Sequence, residues 1–306
     1  RQDHGEEPRR LTQTQGMRYA DLLVDGPRGR LIAVREDHSG SGQAVATIVG
    51  ISTADGAERV LAKGHDFFAS PRLSPDGAQL AWLAWDHPNM PWDGTWLYTA
   101  GIGDTGTAEG TAMVAGGLEE SIFQPEWSPD GTLYFVSDRS GWWNLYRLIE
   151  EWPEPLCPRQ AEFGEPQWVF GMSLYAFLNS DSIACAYTAE GLWTLAVLDT
   201  RSGGLREVET PYTEFQQVRA SAGRLVFLGA SPLTPTAVVS CDPAGSACTE
   251  FRAASTLAID AGYLSAPRPV TFPTEGGQTA HAFYYPPRNR DAAPPAGELP
   301  PLIVTC

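Results

Sequence analysis

The chain has 306 residues, of which 42% are hydrophobic, so it is long enough to bury a large core. Its formal net charge of −16 argues against nucleic-acid phosphate binding as a main function, although it would attract basic or amine-bearing peptides. No segment approaches 18 consecutive apolar residues, so we predict no transmembrane span.

Taken in chain order, short β-rich runs and tight turns recur as five similar units. The units have three or four predicted strands each and span roughly 35 to 55 residues, close to the period of propeller blades. They cover residues 18–60, 68–98, 121–147, 167–208 and 215–251. We therefore predict an all-β fold, a β-propeller with about five complete blades and an incomplete ring. The alternative is an unrelated β-sandwich, which would not require self-similarity.

Two of the units share the turn Ser-Pro-Asp-Gly, at 74–77 and again 54 residues later at 128–131. In such a turn Pro fixes φ at the second position, Asp bonds back to the backbone, and Gly accepts a positive φ. The β-rich runs that follow these turns, 79–85 and 133–137, are predicted to be strands.

The sequence changes character at about residue 263. The run 274–277 predicts a hairpin turn between strands at 268–272 and 279–285, and a Pro-rich loop covers 286–301. The apolar run 302–305 is typical of a buried central strand. The start, 1–12, is typical of the outer edge of a blade. We therefore expect the sequence to be cut at both ends.

Five cysteines occur at irregular spacing, without a CxxC or Cys/His cluster, so we predict no metal and no cofactor. Cys241 and Cys248 flank a predicted hairpin tip and would pair in an oxidising compartment. The composition otherwise favours a reducing cytoplasm.

Several motifs together resemble the prolyl oligopeptidase family of serine peptidases, most closely its dipeptidyl aminopeptidase and acylaminoacyl peptidase-like branch. They are the Ser-Pro-Asp-Gly turns, Asp-His-Pro-Asn-Met-Pro-Trp-Asp-Gly at 86–94, Ser-Asp-Arg-Ser-Gly-Trp-Trp-Asn-Leu-Tyr at 137–146 and Pro-Pro-Leu-Ile-Val at 300–304. The resemblance covers nearly the whole chain.

The resemblance implies a β-propeller at 1–262, truncated at its N-terminus, and the first strands of an α/β-hydrolase domain at 263–306. Strand 302–305 would lead into a His-Gly-Gly loop, with the catalytic triad further on. No Gly-x-Ser-x-Gly occurs in this chain, so we predict no catalytic residue within it and no hydrolysis by this segment alone.

The first candidate binding residues are Glu119 and Glu120, because related dipeptidyl peptidases hold the substrate ammonium with an acidic pair on the propeller. A carboxylate pair does so by charge-assisted hydrogen bonds. The alternative is a solvated loop between blades. The five histidines, including His65 and His87, are interpreted as surface or turn residues.

Loop 86–94, with Asn89 and Trp92, is long for a hairpin and could line the path of a peptide. The alternative is a proline-braced loop whose Trp92 packs on its own blade. Arg139 is a further candidate, as a cation near Trp142 and Trp143. Its alternative role is an ion pair with Asp138 beside packed rings.

The function we predict is the substrate-gating propeller portion of a serine peptidase for short peptides. Its partners would be those peptides and its own C-terminal hydrolase domain, with no nucleic acid and no membrane; homo-oligomerisation is left open. The alternatives are a TolB-like propeller that serves only protein interaction, and a propeller glycosidase, for which no carboxylate pair is evident.

Overall fold

The computed structural model of the protein describes residues 10–245 and 247–305. Five four-stranded antiparallel sheets follow one another along the chain, and in each of them the strands lie in sequence order. The described residues contain no α-helix, and their two helical segments are three-residue 3₁₀ turns at Ala261–Tyr263 and Glu275–Gly277, too short to cross a membrane. Most of the predicted blade edge at 1–12 lies outside the described residues.

The first three sheets contain strands β1 to β12. Sheet 1 is β1 (Met17–Asp25), β2 (Arg30–Asp37), β3 (Val45–Ser52) and β4 (Glu58–Ala62). Sheet 2 is β5 (Phe67–Leu73), β6 (Gln79–Trp85), β7 (Trp96–Ile102) and β8 (Ala108–Gly116). Sheet 3 is β9 (Ile122–Trp127), β10 (Leu133–Ser137), β11 (Asn144–Ile149) and β12 (Trp152–Pro155).

The remaining strands form two further sheets and a separate hairpin. Sheet 4 is β13 (Tyr175–Asn179), β14 (Ser182–Ala189), β15 (Leu192–Asp199) and β16 (Leu205–Glu207). Sheet 5 is β17 (Glu214–Ser221), β18 (Arg224–Ser231), β19 (Thr234–Cys241) and β20 (Cys248–Ala253). The hairpin is β21 (Arg268–Pro273) and β22 (Thr279–Tyr284). The prediction of an all-β, propeller-like chain with five blades is therefore confirmed.

The chain divides into two compact units. One contains residues 10–173, 179–183 and 199–204, and so holds sheets 1 to 3. The other contains 174–178, 184–198 and the chain from 205 onward, with sheet 5 and the hairpin. The residues discussed as a candidate site all belong to the first unit.

Strand β6 shows why the sheets of the first unit stack. Six of its seven residues are buried, as expected of a strand covered on both faces. Successive side chains point to opposite faces. Leu80, Trp82 and Ala84 pack in a cluster with side chains of sheet 1, and Ala81, Leu83 and Trp85 pack in a second cluster with side chains of sheet 3. The apolar run therefore serves two interfaces at once.

The shared Ser-Pro-Asp-Gly turns have the predicted geometry. Gly77 donates its backbone N–H to Ser74 O at 2.8 Å and has φ of 72°. Asp76 accepts the Ala78 backbone N–H at 2.9 Å. In the second turn Gly131 donates to Ser128 O at 3.0 Å and has φ of 87°. The strands predicted after these turns match β6 and β10 to the residue.

A β-bulge recurs on the first strand of four sheets. Asp21, Ser70, Gln124 and Gln217 all have positive φ, between 47° and 53°, and each lies where the pairing register shifts. A left-handed conformation is costly for residues with a Cβ, so its recurrence at equivalent positions indicates a common blade design. Between sheets 1 and 2, the Ser70 backbone N–H donates to Asp21 Oδ2 at 2.6 Å.

Two outer strands, β8 and β12, lie outside the predicted blade units, and the run 302–305 forms no strand in the described part of the chain. Strand β8 is rich in exposed small and polar residues, and β12 contains two prolines, so neither has the alternation that indicates a strand. The run 302–305, predicted to be a buried strand, is exposed and has no strand partner among the described residues. A strand requires a neighbour to accept its backbone hydrogen bonds.

Candidate functional site

One end of sheets 2 and 3 carries the candidate residues. In an antiparallel meander, the loop between the second and third strands lies at the same end as the connection to the next sheet. This rule places loop 86–94, the connection 117–121 and turn 138–143 together. We call these segments, with segment 164–172 that follows sheet 3, the loop face.

Hydrogen bonds join the segments of the loop face to one another. Asn89 Nδ2 donates to Leu118 O at 2.8 Å, which ties loop 86–94 to connection 117–121. Ser121 Oγ donates to Pro91 O at 2.9 Å, and its backbone N–H donates to Asp138 Oδ1 at 2.8 Å. The loop face is therefore held by specific polar contacts and does not consist of independent loops.

Glu120 is paired within the protein. Its Oε1 accepts Ser137 Oγ at 2.7 Å and Arg139 Nε at 3.0 Å, and its Oε2 accepts Arg139 Nη2 at 3.2 Å. The side chains of Glu120 and Arg139 are 18% and 33% exposed, so the pair borders on solvent. A carboxylate offers about four acceptor sites, and three are already used here. Neighbouring Glu119 is exposed.

The prediction of an ion pair between Arg139 and Asp138 is wrong. Arg139 pairs with Glu120, and its guanidinium lies 5.5 Å from the ring centroid of Tyr146. Asp138 instead accepts the backbone N–H of Ser121. Burial raises the pKa of Asp138 above its ordinary value, although the hydrogen bond from Ser121 opposes this shift. The sequence places the two charges side by side, but neighbouring residues in the turn take different partners.

Loop 86–94 is anchored at its first residue. Asp86 Oδ1 accepts the backbone N–H of Asp66 at 2.6 Å, and Asp86 Oδ2 lies 2.9 Å from His65 Nδ1. The other ring nitrogen of His65 lies 3.0 Å from the Tyr98 hydroxyl. Burial, with a smaller contribution from Asp86, raises the pKa of Tyr98. His65 was predicted to be a surface or turn residue, and it lies in the bend before β5. The adjacent His65-Asp66 and Asp86-His87 pairs were the sequence signal for its contact with Asp86.

Trp92 contacts an aromatic ring that lies outside its own blade. Its ring lies 4.3 Å, centroid to centroid, from that of Trp168, in the segment after sheet 3. Trp168 is 71% exposed, and Val169 and Phe170 beside it are also exposed. The loop face thus presents an aromatic and apolar surface, to which Trp142 adds a partly exposed ring.

Trp143, the second tryptophan of the Gly-Trp-Trp motif, packs against the interior of sheet 3. Trp143 stacks on Phe123 at 6.2 Å with nearly parallel rings. A Cβ on Gly164 would lie 2.6 Å from Trp143 Cε3, so glycine is required for this close approach. Ring packing near Arg139 was anticipated, and it rests on Trp143 and not on Trp142.

The loop face is the candidate binding surface among the described residues. No group of three or more His, Cys, Asp or Glu in residues 10–245 and 247–305 is arranged to hold a metal ion. The loop face combines exposed aromatic rings with carboxylates at Glu119 and Glu120. Such a combination can hold a ligand that has a cationic group and an apolar body.

Comparisons with known proteins place this fold. No protein-family model and no curated protein sequence matches the chain. Among solved structures, a puromycin hydrolase is 37% identical with a TM-score of 0.88, covering 96% of this chain and 47% of that chain. A puromycin-hydrolyzing peptidase of Mycobacterium tuberculosis is 36% identical with a TM-score of 0.86, over 94% and 46% of the two chains.

A more distant match shows the fold alone. Prolyl oligopeptidase B of Galerina marginata is 10% identical with a TM-score of 0.67, and it is matched over 88% of this chain and 39% of that chain. The chain is thus a propeller-like domain built from five four-stranded blades. Its sequence is similar to those of the puromycin-hydrolysing structures, and it shares the fold of part of a prolyl oligopeptidase. It spans about half the length of the puromycin-hydrolysing relatives.

Proposed function

We propose that this chain is the substrate-gating propeller portion of a serine peptidase that hydrolyses short peptides. The observation that carries the proposal is the match of 96% of this chain, at 37% identity, to about half of a puromycin hydrolase. A second structure of that enzyme is described as an S511A mutant complexed with PGG. Removal of a serine to obtain a complex is consistent with serine chemistry in that protein.

In this proposal, residues 1–262 form the propeller and 263–306 begin the hydrolase domain. The hairpin β21–β22 supplies the first strands, and the exposed run 302–305 pairs as a strand once its neighbours in that domain are present. The catalytic triad would lie in that domain and not in this chain. A propeller beside the reaction centre would admit extended peptides and exclude folded proteins.

The loop face would bind the peptide. Glu119, exposed and next to the Glu120–Arg139 pair, would accept the substrate ammonium, and Glu120 would use its remaining acceptor site. Arg139 would orient Glu120, while Asn89 and Trp92 would line the peptide beside them. A free-amine requirement of this kind defines a dipeptidyl aminopeptidase. An acylaminoacyl peptidase would instead prefer blocked substrates.

The test uses the full-length protein expressed from its gene. We expect the reading frame after Cys306 to encode His-Gly-Gly and then Gly-x-Ser-x-Gly, and the protein to cleave short peptides while sparing folded ones. Replacement of that elbow serine by alanine should abolish cleavage. A frame without a serine nucleophile, or rapid digestion of a folded protein, would overturn the proposal. The first of these outcomes would favour an interaction module.

The proposal for the cellular compartment rests on a different feature. The sequence favoured the cytoplasm, but the structure joins Cys241 to Cys248 in a disulfide. Disulfides are typical of oxidising compartments, so this bond argues against the cytoplasm. Alkylation of the protein from its native cells before and after reduction, followed by mass spectrometry, decides between the two locations.

A further inference from the structure

The opposite end of sheets 1 and 2 contains a cleft that the loop face does not share. Its volume is about 410 Å³. It lies among the β1–β2, β3–β4 and β7–β8 turns, which antiparallel pairing places away from loop 86–94. Three arginines line it, Arg28, Arg30 and Arg59, together with backbone and hydroxyl groups that include those of Ser52 and Thr105.

Arg30 lies deepest in this cleft. Its side chain is 9% exposed, and its Nε donates to the buried Asp25 carboxylate at 2.7 Å. Its Nη1 donates to Gly106 O at 2.5 Å, which joins sheet 1 to sheet 2. Its Nη2 is buried and has no hydrogen-bond partner. A buried N–H without an acceptor is unfavourable, so this guanidinium has unused capacity to bind an oxygen.

The other two arginines flank it with their charges near solvent. Arg28 contacts Asp25 at 3.3 Å and donates to Gly77 O at 3.0 Å. Arg59 is exposed, and its Nη1 donates to Thr105 O at 2.7 Å without a carboxylate partner. Backbone carbonyls do not neutralise a guanidinium, so part of the positive charge of both side chains remains available.

The carboxylates around the cleft are mostly committed elsewhere. Asp25 is fully buried and is shared by Arg28 and Arg30. Glu58 accepts hydrogen bonds from the Tyr19 hydroxyl and from Arg35 Nη1, the latter at 2.9 Å. Both of these partners belong to sheet 1, as Glu58 does. Asp104 also lines the cleft and is exposed. Three arginines and two carboxylates, Glu58 and Asp104, therefore line the cleft, although the chain has a net charge of −16.

We propose that this arginine cleft is a binding site for a small multi-oxygen anion, either phosphate or a compact carboxylate. Guanidinium groups bind both through planar N–H pairs. The anion would neutralise Arg59 and Arg28, supply an acceptor to Arg30, and bridge the turns of sheets 1 and 2. Because the site is at the opposite end from the loop face, its occupant is distinct from the peptide proposed there.

The first experiment titrates inorganic phosphate into the full chain by calorimetry, with a parallel melt at constant ionic strength. We expect saturable binding and a rise in Tm that sodium chloride does not reproduce. Citrate and acetate titrations separate the two sources: tighter binding of phosphate assigns a phosphoryl ligand, and tighter binding of citrate assigns a carboxylate. Absence of saturable binding by all of these anions overturns the proposal.

Variants assign the binding to the cleft. Arg59→Gln removes an exposed charge and should weaken binding of the preferred anion about tenfold or more, because a charge-assisted hydrogen bond is lost. Arg201→Gln is the control, since it removes the same charge from an exposed side chain elsewhere. Unchanged affinity in Arg59→Gln, or equal loss in both variants, refutes the site. Circular dichroism verifies that both variants are folded.

Discussion

Arg139 holds the Glu120 carboxylate through two nitrogens, Nε at 3.0 Å and Nη2 at 3.2 Å, across 19 residues of sequence. The pair lies at the junction between sheets 2 and 3, where connection 117–121 meets turn 138–143. The pair fixes the Glu120 carboxylate at the edge of the loop face. The positive charge of Arg139 offsets the negative charge of Glu120 there. Glu119 beside it is not held in this way, so the two adjacent acids have different capacities for a ligand.

The first prediction separates these two acids in the full-length protein. Glu119→Gln should raise KM for free-amine peptides by about tenfold or more and leave blocked peptides nearly unchanged, because one charge-assisted contact to the ammonium is lost. Glu120→Gln should raise KM in the same selective way. It should also lower stability, because Arg139 loses its ionic partner.

The matched control is Glu151→Gln, an exposed acid at the opposite end of sheet 3. Kinetics on paired free and blocked peptides give the comparison. An equal effect on both substrate types would show that the two acids do not recognise the ammonium. A change of the same size in Glu151→Gln would indicate long-range charge alone.

A second prediction concerns the Trp92–Trp168 contact. A double-mutant cycle with Trp92→Ala and Trp168→Ala should give a coupling free energy of about 0.5–1.5 kcal/mol, as for other aromatic pairs. Denaturant unfolding monitored by fluorescence and by circular dichroism measures it. Trp152→Ala is a suitable control, since that residue lies on β12 and is 76% exposed. Its effect on the free energy of unfolding should add to that of either other substitution. Strict additivity of Trp92 and Trp168 would show that their contact is not formed.

A third prediction concerns the disulfide of sheet 5. Cys241 and Cys248 face each other across β19 and β20 and close a short loop. Reduction should destabilise the protein by roughly 2–3 kcal/mol, because the unfolded chain regains the entropy of that loop. Melting with and without reductant measures the effect. In the variant Cys241→Ala/Cys248→Ala, reductant should not change the Tm. A remaining change would show that reductant acts on another cysteine.

A fourth prediction follows from the raised pKa of Asp138. The folded state holds its proton more readily than the unfolded state, whose Asp has the ordinary value of 3.8. The contribution of Asp138 to the free energy of unfolding is therefore fully present below pH 3.8. It is lost as the pH rises through the higher pKa of the folded state. Asp138→Asn keeps an oxygen acceptor for Ser121 and removes the titration.

The measurement is the difference in Tm between wild type and Asp138→Asn as a function of pH. The variant should gain stability relative to wild type as pH rises from about 4 towards neutrality. A difference that is constant over this range would contradict the raised pKa. Asp130→Asn, in the exposed turn of the same sheet, provides a comparison for the loss of one acidic group.

The sequence by itself determined the repeating part of this protein. Buried strands and turns carry local signals: apolar runs such as β6 and β10, and the Ser-Pro-Asp-Gly turns, whose φ requirements only certain residues meet. The hairpin β21–β22 followed from the same local chemistry. Outer strands such as β8 and β12 lack such a signal, because one side faces solvent and their residues need not be apolar.

Only the tertiary structure decided which side chains meet. Arg139 and Asp138 are adjacent in sequence, yet Arg139 pairs with Glu120, because the connection from sheet 2 returns beside turn 138–143. Trp92 contacts Trp168, although the two residues lie in different blade connections of the sequence. Such contacts depend on where the backbone places each side chain, and residue type and spacing do not encode that position.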